Sequence, residues 1–334
     1  MITKDDQLAR KEAGDIRTNV GWYKFTHNLM EVTGADAGRF LDFMSANPIA
    51  NLAPGQSRYT TILGEDGGIL DDVIIIHPAD NLYWVSTLDY ASLAAWFDGY
   101  QSGYVVSYRE ATSEIDMYAI QGPNSLKMVE MVAAQPVGAL AYFAIAANQV
   151  GALSLHILRA GFTGELGYEI YVASSDAAAL EHALAEACAE LGGSNTTSWD
   201  VIVRGIPAEK GYVLPADILG LTPYEIGARV NLSRDFVGQA ALAAAGPVPS
   251  KLLLGLDFAD APAAEGDAVF AAGVEAGKIT CVTYSFVLER FIGYAIVDVA
   301  IAPVGTAVTA GADAVAATVV ERIWYDPSDS RVRG

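Results

Sequence analysis

The strongest constraint on this chain is a change of character at Gly246-Pro247-Val248-Pro249. From Lys251 onward the sequence runs in short β-rich stretches (252–258, 268–270, 277–283, 293–297, 307–309 and 316–322) punctuated by glycine and proline. Strands this short and closely spaced leave no room for helices between them. They satisfy their edges by closing on one another, so a small all-β barrel is expected. The break divides the chain into an N-terminal module, 1–246, and a C-terminal barrel domain, 247–334.

Before the break, strand-like alternation repeatedly gives way to helical spacing. Residues 4–17 are charged and read as a surface helix, and 22–32 alternate as one strand. Gly34-Ala35-Asp36 opens an amphipathic helix with Phe40, Leu41, Phe43 and Met44 inward. Strands 59–63 and 69–77 flank a hairpin turn at Gly64-Glu65-Asp66-Gly67-Gly68. Asp89 suits the N-cap of a helix carrying Leu93, Trp96 and Phe97. Ser174 or Ser175 suits that of a longer one with Leu180, Leu184, Cys188 and Leu191, stopped by Gly192-Gly193. This succession predicts an α+β class with two ferredoxin-like subdomains.

Two stretches stand out for chemistry. Gly161-Phe162-Thr163-Gly164-Glu165-Leu166-Gly167-Tyr168-Glu169-Ile170 reads as a glycine-rich loop feeding a strand, with Glu165 and Glu169 on or beside it. A carboxylate at the start of a strand can accept two parallel N–H donors from one planar ligand edge, and solvated turn glutamates fit the same spacing. The pair Asp71-Asp72 precedes Val73-Ile74-Ile75-Ile76, a run typical of a buried strand. Neighbours in a strand point to opposite faces, so one of the two aspartates is expected inside, where burial shifts a carboxyl toward proton handling.

Composition narrows the partners. With 52% hydrophobic and 18% charged residues among 334, the chain is globular and well buried. A net charge of −20 argues against nucleic acid. Two cysteines exclude a disulfide framework, and the four histidines form no ligand spacing, so no metal is expected. No apolar run reaches about 18 residues and Met1–Asp6 has no apolar leader core, which predicts no membrane span and a cytoplasmic location.

Several short motifs, taken in order, resemble the aminomethyltransferase (glycine-cleavage T-protein) family of folate-binding transferases over about 14–334. They are Gly-Trp-Tyr-Lys-Phe-Thr-His at 21–27, Gly-Gly-Ile-Leu-Asp-Asp-Val-Ile at 67–74, Ile-Gln-Gly-Pro at 120–123 and the 161–170 loop. Thr-Pro-Tyr-Glu-Ile-Gly at 222–227, Asp-Phe-Val-Gly-Gln-Ala-Ala-Leu at 235–242 and Trp-Tyr-Asp-Pro at 324–327 complete the series. The resemblance implies a three-lobed cloverleaf and tetrahydrofolate as cofactor. It makes Asp72 the catalytic aspartate, Tyr59 a folate-lining tyrosine and Glu169 the grip on the pterin edge, leaving Glu165 a supporting or solvated role. Arg204 matches a family arginine with a one-residue shift, and Arg331 or Arg333 corresponds to an arginine that reaches the folate tail.

Departures from the family pattern set the expected donor. Pro207 stands at a second arginine position, Thr87 at an asparagine, and Ala208-Glu209-Lys210-Gly211-Tyr212 is similar to the folate domains of sarcosine-oxidising enzymes. The expectation is therefore a tetrahydrofolate-dependent one-carbon transferase that takes a methyl group from a small O-, N- or S-methyl donor. The alternative is aminomethyl transfer from a carrier-borne donor, giving methylenetetrahydrofolate and ammonia, with a carrier protein or a flavoprotein as partner. A third reading, a non-enzymatic folate-binding factor of iron–sulfur assembly, meets Lys210-Gly211-Tyr212 where that branch carries a cysteine.

Overall fold

The computed structural model describes residues 2–334 as two open sheets and a closed barrel. The first sheet has six strands in the order Ser194–Asn195, Gly21–Lys24, Ile115–Gln121, Gly167–Ala173, Leu153–Leu158 and Ile145–Val150. The second has five: Gln56–Leu63, Ile69–Ala79, Leu82–Thr87, Asn28–Thr33 and Ser107–Glu110. The barrel closes through Lys251–Phe258, Arg290–Asp298, Val274–Ser285, Ala268–Ala271, Ala307–Ala310 and Val315–Val320. The three-lobed α+β architecture with a C-terminal barrel is thus present.

Strand periodicity decides which residues each sheet turns inward. On the six-stranded sheet, Tyr118, Ile120, Tyr168, Ile170 and Val172 pack under helices Ser125–Val132 and Ala177–Leu191. Their neighbours Met117, Ala119 and Tyr171 join the core between the lobes. On the five-stranded sheet, Val73, Ile75, Tyr83 and Val85 pack under helices Ala37–Met44 and Tyr90–Asp98, whereas Ile74, Ile76 and Trp84 face the shared core. The two-residue period therefore places Glu169 with Tyr171, and Asp72 with Ile74, on the faces the sheets turn toward each other. Asp71 falls on the helix-covered side.

Two local expectations are corrected. Residues 22–32 are not one strand. Gly21–Lys24 pairs with Ile115–Gln121, Asn28–Thr33 pairs with Leu82–Thr87, and Phe25-Thr26-His27 crosses between the sheets. Alternation continues across the crossing, so periodicity alone does not reveal it. The N-terminal helix Gln7–Thr18, capped by Asp6 accepting from the Ala9 N–H at 2.9 Å, keeps one face at the surface but buries the other, charged residues included. Glu12 and Arg17 are buried because their charges are consumed internally. Glu12 accepts from the Thr197 and Ser198 backbone at 2.9 and 2.8 Å.

Arg17 joins the lobes. Its guanidinium meets Glu165 at 3.1 Å and Glu209 at 2.6 Å, donates to the Thr163 carbonyl at 2.7 Å, and lies 3.8 Å over the Tyr325 ring. Glu209 in turn accepts from Ser285 of the barrel at 2.7 Å. Truncating Arg17 leaves buried Glu209 with only the Ser285 hydroxyl and Glu165 with half-exposed Arg331 and Tyr325, and removing one partner from such a network costs about 3–5 kcal/mol. Arg17→Ala is expected to lower the urea-unfolding free energy by that amount. A loss below about 1 kcal/mol would show the junction to be solvated rather than buried.

Candidate functional site

A cavity of about 620 Å³ lies between the two sheets, and none of its described lining comes from the barrel. The five-stranded sheet contributes Tyr59, Asp72, Ile74, Ser86 and Thr87, and the strand Gly167–Ala173 contributes Glu169. Phe25, Thr26 and His27 enter from the crossing between sheets, Asn28 from the strand that follows it, and Trp199, Val203 and the 213–216 segment close the remaining side. Asp72, Tyr59 and Glu169, singled out from distant stretches of sequence, share this one space. A second cavity of about 560 Å³, bordered by Trp84, His156 and Tyr171, contains none of those three.

Asp72 is held by Tyr59, whose hydroxyl donates to Oδ2 at 3.1 Å. Burial pushes the Asp72 carboxyl up to about 6, the neighbouring Asp71 adds to the rise, and the Tyr59 hydrogen bond opposes it. Asp71 is fully enclosed, accepting from the Thr87 hydroxyl and from the Leu88 N–H at 3.3 Å. It is an electrostatic neighbour of Asp72 rather than a wall of the cavity.

Glu169 is 5% exposed, and burial pushes its carboxyl up to about 7, against the pull of the Tyr171 hydroxyl at 2.9 Å. The buried Tyr23 hydroxyl, whose own proton is held more tightly by burial and by Glu169, has no hydrogen-bond partner among the described residues. Burial lowers His27 to about 4, so its imidazole is neutral at physiological pH. A buried carboxyl at one end of a cavity with aromatic walls fits a flat heterocycle that presents paired N–H donors.

The loop before Glu169 works differently from its glycine spacing. Only Gly164 of the three has a positive φ, +75°. At Gly161 and Gly167 a Cβ would stand 2.0 and 2.4 Å from the Gln121 amide. Those two glycines make room for Gln121, which accepts from the Thr163 hydroxyl at 2.7 Å and clamps the loop. Glu165 is buried in the Arg17 junction, a supporting role.

Neither arginine expected at the cofactor lines the cavity. Arg204 pairs with buried Asp217 at 2.6 Å, and Asp217 also accepts from the Leu214 N–H at 2.8 Å, so the pair braces the cavity wall formed by 213–216. Arg331 lies 3.3 Å from Glu165 and 5.2 Å from the Tyr325 ring centroid, with its side chain half-exposed on the C-terminal turn Ser330–Arg333. Pro207, the departure noted above, has a local consequence. Lacking an N–H and clashing with the carbonyl four residues back, it accompanies a π turn, Val201–Gly205, in which the Ile206 N–H bonds the Val201 carbonyl. Val203 of that turn reaches the cavity. Trp199, 59% exposed at the cavity, carried no sequence signal that separates it from an ordinary surface tryptophan.

Comparison with known proteins agrees with this architecture. Residues 3–227 match the GCVT N-terminal domain, and residues 251–326 match the glycine cleavage T-protein C-terminal barrel domain. These matches give the class, a folate-dependent one-carbon transferase with tetrahydrofolate as cofactor. The chain belongs to the glycine cleavage T-protein family. An aminomethyltransferase of Bacillus licheniformis is 29% identical over 304 residues, covering 86% of this chain and 81% of that protein. One from Geobacillus kaustophilus is 29% identical over 311 residues, covering 89% and 84%. The crystal structure of the glycine cleavage system aminomethyltransferase T from Bartonella henselae superposes with a TM-score of 0.85 at 23% identity, over 95% of this chain and 90% of that one. These relatives favour the aminomethyl alternative over the methyl-donor reading placed first in the sequence analysis. Among the described residues no helix is long and apolar enough to cross a membrane, and no His, Cys, Asp and Glu cluster suits a metal ion.

Proposed function

We propose that this chain transfers the carbon of an aminomethyl group from a carrier-borne lipoyl arm to tetrahydrofolate, breaking its C–N and C–S bonds and releasing ammonia and the carrier's free thiol, with Asp72 as the catalytic residue. The observation that carries the proposal is the convergence of Asp72, Tyr59 and Glu169, from two separate sheets, on one cavity. Family membership over both parts of the chain supports the donor class. On this reading 1–246 is the folate module and 247–334 the domain that buttresses it, in a cytoplasmic protein.

Bound tetrahydrofolate supplies the nucleophilic nitrogen that accepts the carbon. Glu169 accepts the N–H donors of the pterin edge, and Tyr59 lines the ring's berth while orienting Asp72. Fixing both partners in one cavity supplies up to roughly 7–11 kcal/mol of the barrier. Asp72, poised near 6, holds or releases the proton displaced as the new bond forms. Arg331, outside the cavity on the C-terminal turn, is assigned to the acidic folate tail. Arg204 acts on the cofactor through the cavity wall it braces.

Methyl transfer from a small donor remains a second reading, favoured by Pro207 and Thr87 at positions where the family pattern differs. The iron–sulfur reading gains no surface thiol, since Cys188 and Cys281 are both buried. A turnover assay with tetrahydrofolate, an aminomethyl-loaded lipoyl carrier and candidate methyl donors, following both folate products, tests the order. Methylenetetrahydrofolate formed with the carrier is the expected result. Formation of 5-methyltetrahydrofolate alone would overturn the aminomethyl proposal.

A further inference from the structure

On the face that the six-stranded sheet turns toward the shared core, Tyr23, Ala119 and Glu169 form one cross-strand row. Tyr23 pairs in register with Ala119 from one side, and Glu169 pairs with the same residue from the other. Two strand spacings, about 10 Å, therefore separate the Tyr23 and Glu169 backbones. Only the alanine methyl stands between the two side chains, so they can meet above it. Phe25, which lines the cavity, packs on the Tyr23 ring with centroids 6.0 Å apart and holds the ring on that face.

Tyr23 is 1% exposed, and its hydroxyl makes no hydrogen bond among the described residues. An unpaired buried hydroxyl costs stability, and a phenylalanine would fill the same space without that cost. The charge that acts on this hydroxyl is that of Glu169. An ionised carboxylate offers about four acceptor sites. The Tyr171 hydroxyl takes one at 2.9 Å, and the paired N–H donors of a pterin edge take two more. Glu169 forms no ion pair among the described residues, so hydroxyls are what can stabilise its charge. The titratable groups that face it are Tyr171 on its own strand, Tyr23 across Ala119, Tyr142 from the segment before Ile145–Val150, and Asp72 across the cavity.

We infer that Tyr23 is a positioning residue for the cofactor: its hydroxyl donates to Glu169 once that carboxylate is ionised, filling the acceptor site that Tyr171 and the pterin leave and fixing the carboxylate against the pterin edge. The inference rests on the proposed grip of Glu169 on the pterin. Both side chains lie on one row of a paired sheet, so side-chain rotation is enough to make the bond.

Tyr23→Phe removes the hydroxyl and keeps the ring. The Glu169 carboxyl is titrated in the ligand-free, full-length protein by carbon-13 NMR with labelled glutamate, its signal assigned by its loss in Glu169→Gln. The midpoint in Tyr23→Phe is expected about one pH unit above that of wild type, because the ionised form has lost a donor. Tetrahydrofolate affinity at about pH 8 is expected to fall roughly tenfold. The melting temperature at about pH 5, where Glu169 is protonated, is expected to stay at or above that of wild type. An unmoved midpoint overturns the inference whatever the affinity does, since lost packing alone can weaken binding. A raised midpoint with unchanged tetrahydrofolate affinity overturns it as well. The titration also separates the two ideas. Wild-type protein that binds no tetrahydrofolate, with a midpoint raised in Tyr23→Phe, removes the folate grip and keeps the bond between Tyr23 and Glu169. Intact folate binding with an unmoved midpoint removes the inference alone.

Discussion

Replacing Asp72 with asparagine is expected to reduce turnover by about 10²–10⁴-fold, the usual range for a lost general acid–base group. Tetrahydrofolate affinity should stay within about threefold. The side chain keeps its size and can still pair with Tyr59, so the cavity retains its shape, and only the ability to exchange a proton is lost. The pH profile gives a second, independent readout. Burial and Asp71 raise the Asp72 carboxyl to about 6, with Asp217 adding to the rise and Tyr59 opposing it. If the ionised form takes the proton, wild-type activity rises as pH increases through about 6, and Asp72→Asn lacks that limb. An asparagine variant that loses folate affinity in proportion to its turnover would assign Asp72 a merely structural role.

Glu169→Ala is expected to weaken tetrahydrofolate binding by at least about 100-fold, because two charge-assisted hydrogen bonds to the pterin edge disappear together. The same carboxyl burdens the empty protein. Its proton is held up to about 7 in the folded state, against an ordinary carboxyl value in the unfolded chain. A raised acid works in one direction: the folded state keeps its advantage below the ordinary carboxyl range and loses it progressively as pH rises through about 7. The loss above that range is about 3 kcal/mol by linkage. Glu169→Gln, which keeps the shape and an acceptor for Tyr171, is therefore expected to melt several degrees higher than wild type at about pH 8 and to lose most of that advantage near pH 4. Such a gain in stability with loss of binding is the signature of a buried group kept for its ligand. Unchanged folate affinity in Glu169→Ala would remove Glu169 from the site.

Much of this was legible along the chain because it depends on near neighbours. Hairpin chemistry at 64–68, the Asp89 cap and the left-handed Gly192 that ends the long helix are local, and the structure has each of them. The barrel was readable from Lys251 onward, since half of its neighbouring strand pairs are consecutive hairpins and its glycines and prolines mark the turns. The role of Arg17 was not. It spans separations of 148 and 192 residues to Glu165 and Glu209, and nothing local distinguishes it from the exposed charges around it.

The 161–170 loop shows where the division falls. Sequence alone determined that a glycine-rich turn precedes a strand bearing Glu169, and that Asp71 and Asp72 must face opposite ways, because turn conformations and the two-residue strand period are properties of adjacent residues. Only the tertiary structure decided that Glu165 is spent on the Arg17 junction, that two of the glycines serve Gln121, and that Asp72 rather than Asp71 meets Glu169 across one cavity. The crossing at Phe25-Thr26-His27 sends one continuous alternation into two sheets, and their packing brings inward faces from distant stretches together. Burial then moves both carboxyls toward neutrality, and burial is a property of the packed lobes, not of the residues next in line.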